Sequence, residues 1–311
     1  MRKEIINIIK YIAVYFVLLV TPVALVAVCE VANNHLHGGT MTSDEVWQTP
    51  YMTLGMLVCS LLIIAVFLWK RWAKLGLGRI ERDDLWPVFL VSVSIFIGWY
   101  FPEAFLVDLI EVPSNLSSEE FDQMTEGVAG LINTGLITPI AEELLCRGAI
   151  LTALLAIMPR KPWIAIIVQA LVFGALHMNP SQTVYGTIYG LALGWLCWRS
   201  ASLLPGIMVH VANNSAVMLM PDHVDESFYA LAPGLKITII VLSIIILVCS
   251  IAWFNKKYPA LKLSEVRGSL SEPSEVSPDS AKRPDMPSQA AEDDADAPAV
   301  VDLGTEVGLG E

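Results

Sequence analysis

The chain has 311 residues, of which 55% are hydrophobic and 16% are charged, and its mean hydropathy is +0.59. A soluble globular protein has about 25% charged residues, so this composition excludes an ordinary cytosolic enzyme and indicates a membrane protein. The net charge of −12 and the pI of about 4.8 have the wrong sign for phosphate contacts, which excludes a nucleic-acid-binding protein.

The apolar runs predict an all-α polytopic membrane protein with about eight transmembrane helices, because one span needs about 20 apolar residues. Arg2 and Lys3 precede the first run, as in a signal peptide, but Val28 and Cys29 at its end do not form a small-residue cleavage site. We therefore expect a retained first helix. The predicted spans are residues 11–29, 51–69, 86–107, 127–157, 163–178, 183–198, 203–220 and 237–254.

The charges between the spans predict the orientation of the chain. Basic connections, such as the one from Lys70 to Arg82, alternate with neutral or acidic ones, such as 31–50 and 108–126. Basic segments stay in the cytoplasm. We therefore expect both termini to be cytoplasmic in a multi-pass protein of the plasma (inner) membrane, as an even number of spans also requires.

The chain divides into four predicted regions. Residues 1–125 hold helices one to three, 126–220 form a helical core that carries the polar motifs, and 221–262 hold the last span. Residues 263–311 are rich in Ser, Pro, Ala, Asp and Glu and carry a net charge of −9. Such a composition buries too little apolar surface to fold, so we expect a disordered acidic cytoplasmic tail.

The fourth predicted span contains three charged residues well inside the membrane. Placing a charged side chain there costs free energy, so such residues usually have a function. Glu143 and Arg147 stand four residues apart with the acid first, the favoured order for an ion pair along a helix. Glu142 lies about 100° round the helix from Glu143. Glu142 is therefore not expected to pair with Arg147, which leaves its carboxylate free to accept a proton and makes it the candidate general base.

Two further apolar helices carry polar residues at one-turn spacing. Phe173 and His177 share a face of the fifth span, and His210 and Asn214 share a face of the seventh. By the predicted topology, His177 lies at the extracytoplasmic end of its span, whereas Glu142 and His210 lie nearer the middle of the bilayer. This difference in depth predicts a short or tilted fifth span, or a cavity that opens outward.

These residues support two kinds of chemistry. Glu142, His177 and His210 could bind a divalent metal such as zinc and leave a position open for water. The same groups could also act without metal, with Glu142 as the base and His or Asn donors stabilising an oxyanion. Both alternatives lead to hydrolysis of a peptide bond by an activated water.

The three motifs, in this order, resemble those of the CPBP group, the type II CAAX prenyl endopeptidases and their bacterial relatives linked to bacteriocin processing and self-immunity. The resemblance rests on Glu142-Glu143-x-x-x-Arg147, Phe173-x-x-x-His177 and His210-x-x-x-Asn214 and covers about residues 125–220.

The resemblance implies an intramembrane endopeptidase acting on a peptide or protein that reaches the bilayer. The resemblance also implies the roles of the residues. Glu142 would activate the water, with Glu143 and Arg147 supporting Glu142. The water would be bound, or the oxyanion stabilised, by His177, His210 and Asn214. Two other functions stay open at this point. One is a non-catalytic membrane scaffold or bacteriocin-immunity factor that keeps the fold; the other is a transporter that uses the buried charges as a proton relay.

Overall fold

The structure, a computed structural model, describes residues 2–42, 45–46, 49–110, 127–219, 228 and 230–260. All regular structure in these segments is helical, as the sequence predicts, and they contain no strand. The predicted acidic tail, 263–311, lies outside the described residues.

The described residues form eight long helical stretches that follow one another in sequence. The fourth stretch, α4, is a continuous run of short segments: Gly127–Gly130, Leu131–Ile137, Thr138–Glu143, Leu144–Leu151 and Thr152–Ile157. The other seven are α1 Arg2–Leu36, α2 Pro50–Trp69, α3 Leu85–Ile110, α5 Pro162–Leu176, α6 Pro180–Ser200, α7 Leu204–Leu219 and α8 Pro233–Lys257.

Four of these helices, α1, α2, α3 and α8, are long and apolar enough to cross a membrane. Between 6% and 33% of the strongly apolar stretch of each is buried inside the protein, which leaves the rest partly or fully exposed, as lipid-facing helices require. The protein is therefore a helical membrane protein. The other predicted spans are also helical, but α5 and α7 have only 15 and 16 residues, about 22–24 Å, against about 30 Å of hydrocarbon. The count of eight spans stays a prediction.

Helix α4 lies at the centre of the bundle and packs against α1, α2, α5 and α7. From Leu144 to Leu151 each side chain is buried. Two of its segments, Leu131–Ile137 and Leu144–Leu151, are π-helical. Wide π turns within α-helices occur frequently at functional sites, and here they flank the segment that carries the two glutamates.

Helices α5 and α6 form a tight antiparallel pair, which sets the position of His177. A proline begins each helix, where its missing N–H costs nothing. The Asn179 side chain caps α6 by accepting the backbone N–H of Ser181 at 3.0 Å. Gly174 faces the backbone of α6 with no room for a Cβ atom. His177 thus lies at the junction of the two helices rather than beyond the bundle.

Candidate active site

The site begins with a buried ion pair on α4. Arg147 Nη1 donates to Glu143 Oε1 at 2.5 Å, and both side chains are fully buried. The structure thereby contains the pair that the four-residue spacing predicts. Arg147 also donates from Nη2 to the Gly190 carbonyl at 3.3 Å, and its guanidinium lies 4.3 Å from the Phe173 ring centroid. These contacts fix the arginine between α4, α5 and α6.

His210 of α7 lies between the two glutamates. Its Nδ1 is 2.9 Å from Glu143 Oε1, to which it donates, and its Nε2 is 3.6 Å from Glu142 Oε2. Glu143 Oε1 therefore accepts from both Arg147 and His210. The other oxygen, Glu143 Oε2, is buried without a hydrogen-bond partner among the described residues.

The two neighbouring glutamates differ in their access to the cavity. The Glu142 side chain keeps 17% of its surface exposed, whereas the Glu143 side chain keeps none. Glu142 has no contact with Arg147 among the salt bridges of the described residues. One carboxylate is thus held by the arginine, and the other lines the cavity and faces His210.

Phe173 packs against both His177 and His210. Its ring is nearly perpendicular to both imidazoles, with centroids 5.0 Å from His177 and 5.6 Å from His210. His177 Nδ1 lies 2.9 Å from the Phe173 carbonyl. Because a carbonyl only accepts, Nδ1 carries the proton, so Nε2 of a neutral His177 is an acceptor.

Asn214 connects α7 to the first part of α4. Its Nδ2 donates to the Thr134 carbonyl at 3.1 Å, and Ser215 beside it donates from Oγ to the Gly135 carbonyl at 3.1 Å. Both acceptors lie in the first π segment, Leu131–Ile137. An amide nitrogen has two donors, so Asn214 keeps one N–H for another acceptor.

A cavity of about 370 Å³ brings four of the six predicted residues together: Glu142, His177, His210 and Asn214. Glu143 and Arg147 lie beneath its wall. A larger cavity of about 520 Å³, lined by Trp163, Trp195 and other mainly apolar side chains, holds none of the six. We take the smaller cavity as the candidate active site because it alone of the two contains the polar motif residues.

The cavity also contains residues other than the six predicted site residues. Tyr189 donates to the Val209 carbonyl at 2.9 Å and lies with its ring centroid 5.8 Å from that of His210. Glu103 of α3 lies in the same wall. An acidic residue within an apolar span is a signal for function, and by that rule Glu103 could have been found. The remaining lining residues are Thr134, Thr138, Phe173, Ser181, Gln182, Tyr185, Gly186, Asn213, Val217 and Met218.

The described residues do not assemble the predicted metal site. They contain no group of three or more His, Cys, Asp or Glu side chains arranged to hold a metal ion. Glu142 and His210 face each other, but His177 does not complete a triad with them. Zinc sites in enzymes use three protein ligands, so this donor set does not fit zinc.

Comparison with known proteins supports the resemblance seen in the motifs. Residues 124–216 match the family model described as Type II CAAX prenyl endopeptidase Rce1-like. The match covers less than a third of the chain and contains all six predicted residues. No curated protein and no solved structure matches the chain. This central part of the chain is thus similar to the CAAX-protease-like endopeptidase family, and the rest of the chain lies outside the match.

Proposed function

We propose that this protein is an intramembrane endopeptidase with eight spans, in which Glu142 activates a water molecule for attack on a peptide bond. One observation carries the proposal. The Glu142 carboxylate lines the cavity and faces His210 Nε2 at 3.6 Å, while Oε1 of Glu143 beside it is held by Arg147 and His210. Two adjacent carboxylates in different surroundings suit different tasks.

The geometry supports a simple sequence of proton transfers. Glu142 accepts a proton from water, and the water oxygen bonds to the carbonyl carbon of the substrate. Negative charge develops on the carbonyl oxygen, where the free N–H of Asn214 is the donor that we assign. The proton held by Glu142 then passes to the nitrogen of the breaking C–N bond, which releases an amine and a carboxylic acid.

His210 has a positioning role in this proposal. Because Nδ1 donates to Glu143, Nε2 of a neutral ring is an acceptor that faces Glu142. A proton or a water molecule between Nε2 and Glu142 Oε2 would satisfy both atoms. Arg147 neutralises Glu143, so the buried cluster keeps one carboxylate available for acid–base chemistry.

We also propose that the protein lies in a bacterial-type plasma membrane with both termini in the cytoplasm, as the distribution of basic loops predicts. Its substrate is a peptide or protein that enters the bilayer region. Labelling of single cysteines introduced at Gly38 and Gly76 tests this orientation. We expect an impermeant reagent added outside cells to react at Gly38→Cys and not at Gly76→Cys.

The test of the function is cleavage of a peptide library by the purified protein and by Glu142→Gln. Loss of a general base costs about 10²- to 10⁴-fold in rate, so we expect Glu142→Gln to lose cleavage while its thermal unfolding stays close to that of the wild type. Glu30→Gln is the matched control: it makes the same change on α1, away from the cavity, and should keep its activity.

Retained cleavage by Glu142→Gln would refute the assignment of the base. Absence of cleavage by the wild type, together with a cellular phenotype that Glu142→Gln preserves, would favour the non-catalytic scaffold or immunity factor instead.

A further inference from the structure

Glu103 is a third carboxylate in the candidate active site. It lies on α3, outside the family-matched residues 124–216, and lines the same cavity as Glu142, His177 and His210. Helix α3 packs against α7, which brings this part of the N-terminal half to the site. Neither the proposed water activation nor the Glu143–Arg147 pair uses this residue.

A partly buried carboxylate on an apolar helix of a membrane protein needs a partner, because transfer of a charge from water is costly. No Lys or Arg side chain lines this cavity, and Glu103 forms no salt bridge with the described residues. The indole N–H of Trp99, one helical turn earlier, lies near the carboxylate but makes no hydrogen bond of standard geometry within the described part of the chain. The protein therefore leaves room for a positive charge that comes from elsewhere.

The walls around Glu103 are aromatic. Tyr185 and Tyr189 line the same cavity as Glu103, and Trp99 stacks on Tyr189 with ring centroids 6.0 Å apart. Aromatic faces attract cations, most strongly where water is excluded. A carboxylate beside aromatic rings is thus the chemistry that recognises an ammonium or guanidinium group, and it would repel an acidic one.

We infer that Glu103 determines specificity by binding a cationic group of the substrate peptide, either a Lys or Arg side chain or a free amino terminus. The inference rests on the proposed endopeptidase function and adds the substrate class to it. Glu103 and Glu142 line one cavity of about 370 Å³. The positive charge should therefore lie close to the scissile bond.

The experiment compares three versions of one peptide that differ at a single position: lysine, acetyl-lysine and glutamine. Each is made with a free and with an acetylated amino terminus, which separates the two sources of charge. For the wild type we expect a higher kcat/KM for a peptide that carries the charge. A charged hydrogen bond corresponds to about a 10- to 100-fold preference, and Glu103→Gln should remove most of it. Glu81→Gln, an exposed change outside the cavity, is the control that should keep it.

Two outcomes would overturn the inference while leaving the proposed function intact. They are cleavage by the wild type without preference for a positive charge, and a preference that survives in Glu103→Gln. Peptide binding is measured in parallel on Glu142→Gln, with and without Glu103→Gln. If the wild type cleaves nothing, the proposed function fails, and these binding constants alone decide whether Glu103 selects the cationic peptide.

Discussion

Replacement of Arg147 by methionine should destabilise the protein strongly. Methionine keeps a long apolar side chain but removes the charge that neutralises Glu143. Both partners of the pair are fully buried, and breaking such a pair from one side costs about 3–5 kcal/mol because the other charge stays buried. Glu143 would keep only His210 as a partner, since its Oε2 atom already has none among the described residues.

The measurement is the free energy of unfolding in mixed micelles, followed by helical circular dichroism during titration with a denaturing detergent. The double variant Glu143→Leu/Arg147→Met tests the cause. Because it removes both charges, it should be less destabilised than the sum of the single variants by about 1–3 kcal/mol. Asp84→Asn is the matched control. It breaks the 2.8 Å pair between Asp84 and Lys257, whose lysine is 40% exposed, so it should cost less than about 1 kcal/mol.

If Arg147→Met lowered the free energy of unfolding by less than about 1 kcal/mol, as expected for an exposed pair, that result would refute the reasoning. Strict additivity in the double variant would do the same, since it would show that the two side chains do not depend on each other.

Three further predictions concern the surroundings of the site. Tyr189→Phe removes the hydrogen bond to the Val209 carbonyl and should cost about 1 kcal/mol in stability, with a lower cleavage rate; unchanged values of both would contradict a role for the hydroxyl. Gly174→Ala places a Cβ against the backbone of α6 and should destabilise by about 1–3 kcal/mol, whereas Gly234→Ala, with no atom within 4 Å, should be neutral in the same thermal assay. Treatment with a zinc chelator should leave peptide cleavage unchanged, because the described residues assemble no three-ligand group; a loss that added zinc restores would show a metal-dependent enzyme.

Local patterns in the sequence predict those features that depend on one helix alone. The Glu143–Arg147 pair follows from its spacing, and the second span, predicted at 51–69, is found as Pro50–Trp69. The first helix extends well beyond its predicted span at 11–29, because hydropathy marks the apolar part of a helix while the backbone hydrogen bonds continue through polar residues.

Features that depend on packing between helices could not be predicted in the same way. Thr134, Thr138 and Glu142 line one cavity at four-residue spacing. In a regular α-helix, side chains four residues apart differ in direction by about 40° around the helix axis. The wide π-helical turn at Leu131–Ile137 changes these directions, and no residue pattern in the sequence predicts that turn. Glu103 is a member of the site only because α3 packs against α7, a contact between distant parts of the chain.

The length of α1 has a consequence for how the protein sits in lipid. Its 35 residues correspond to about 52 Å, well beyond a hydrocarbon layer of about 30 Å. Tyr11 and Tyr15 are its buried side chains, so its first half is held by the bundle, whereas its second half contacts α2 without burying a side chain. The apolar part, about residues 11–29, is close in length to that layer, so the excess lies in the polar ends, 2–10 and 30–36, which project into the headgroup regions on the two sides.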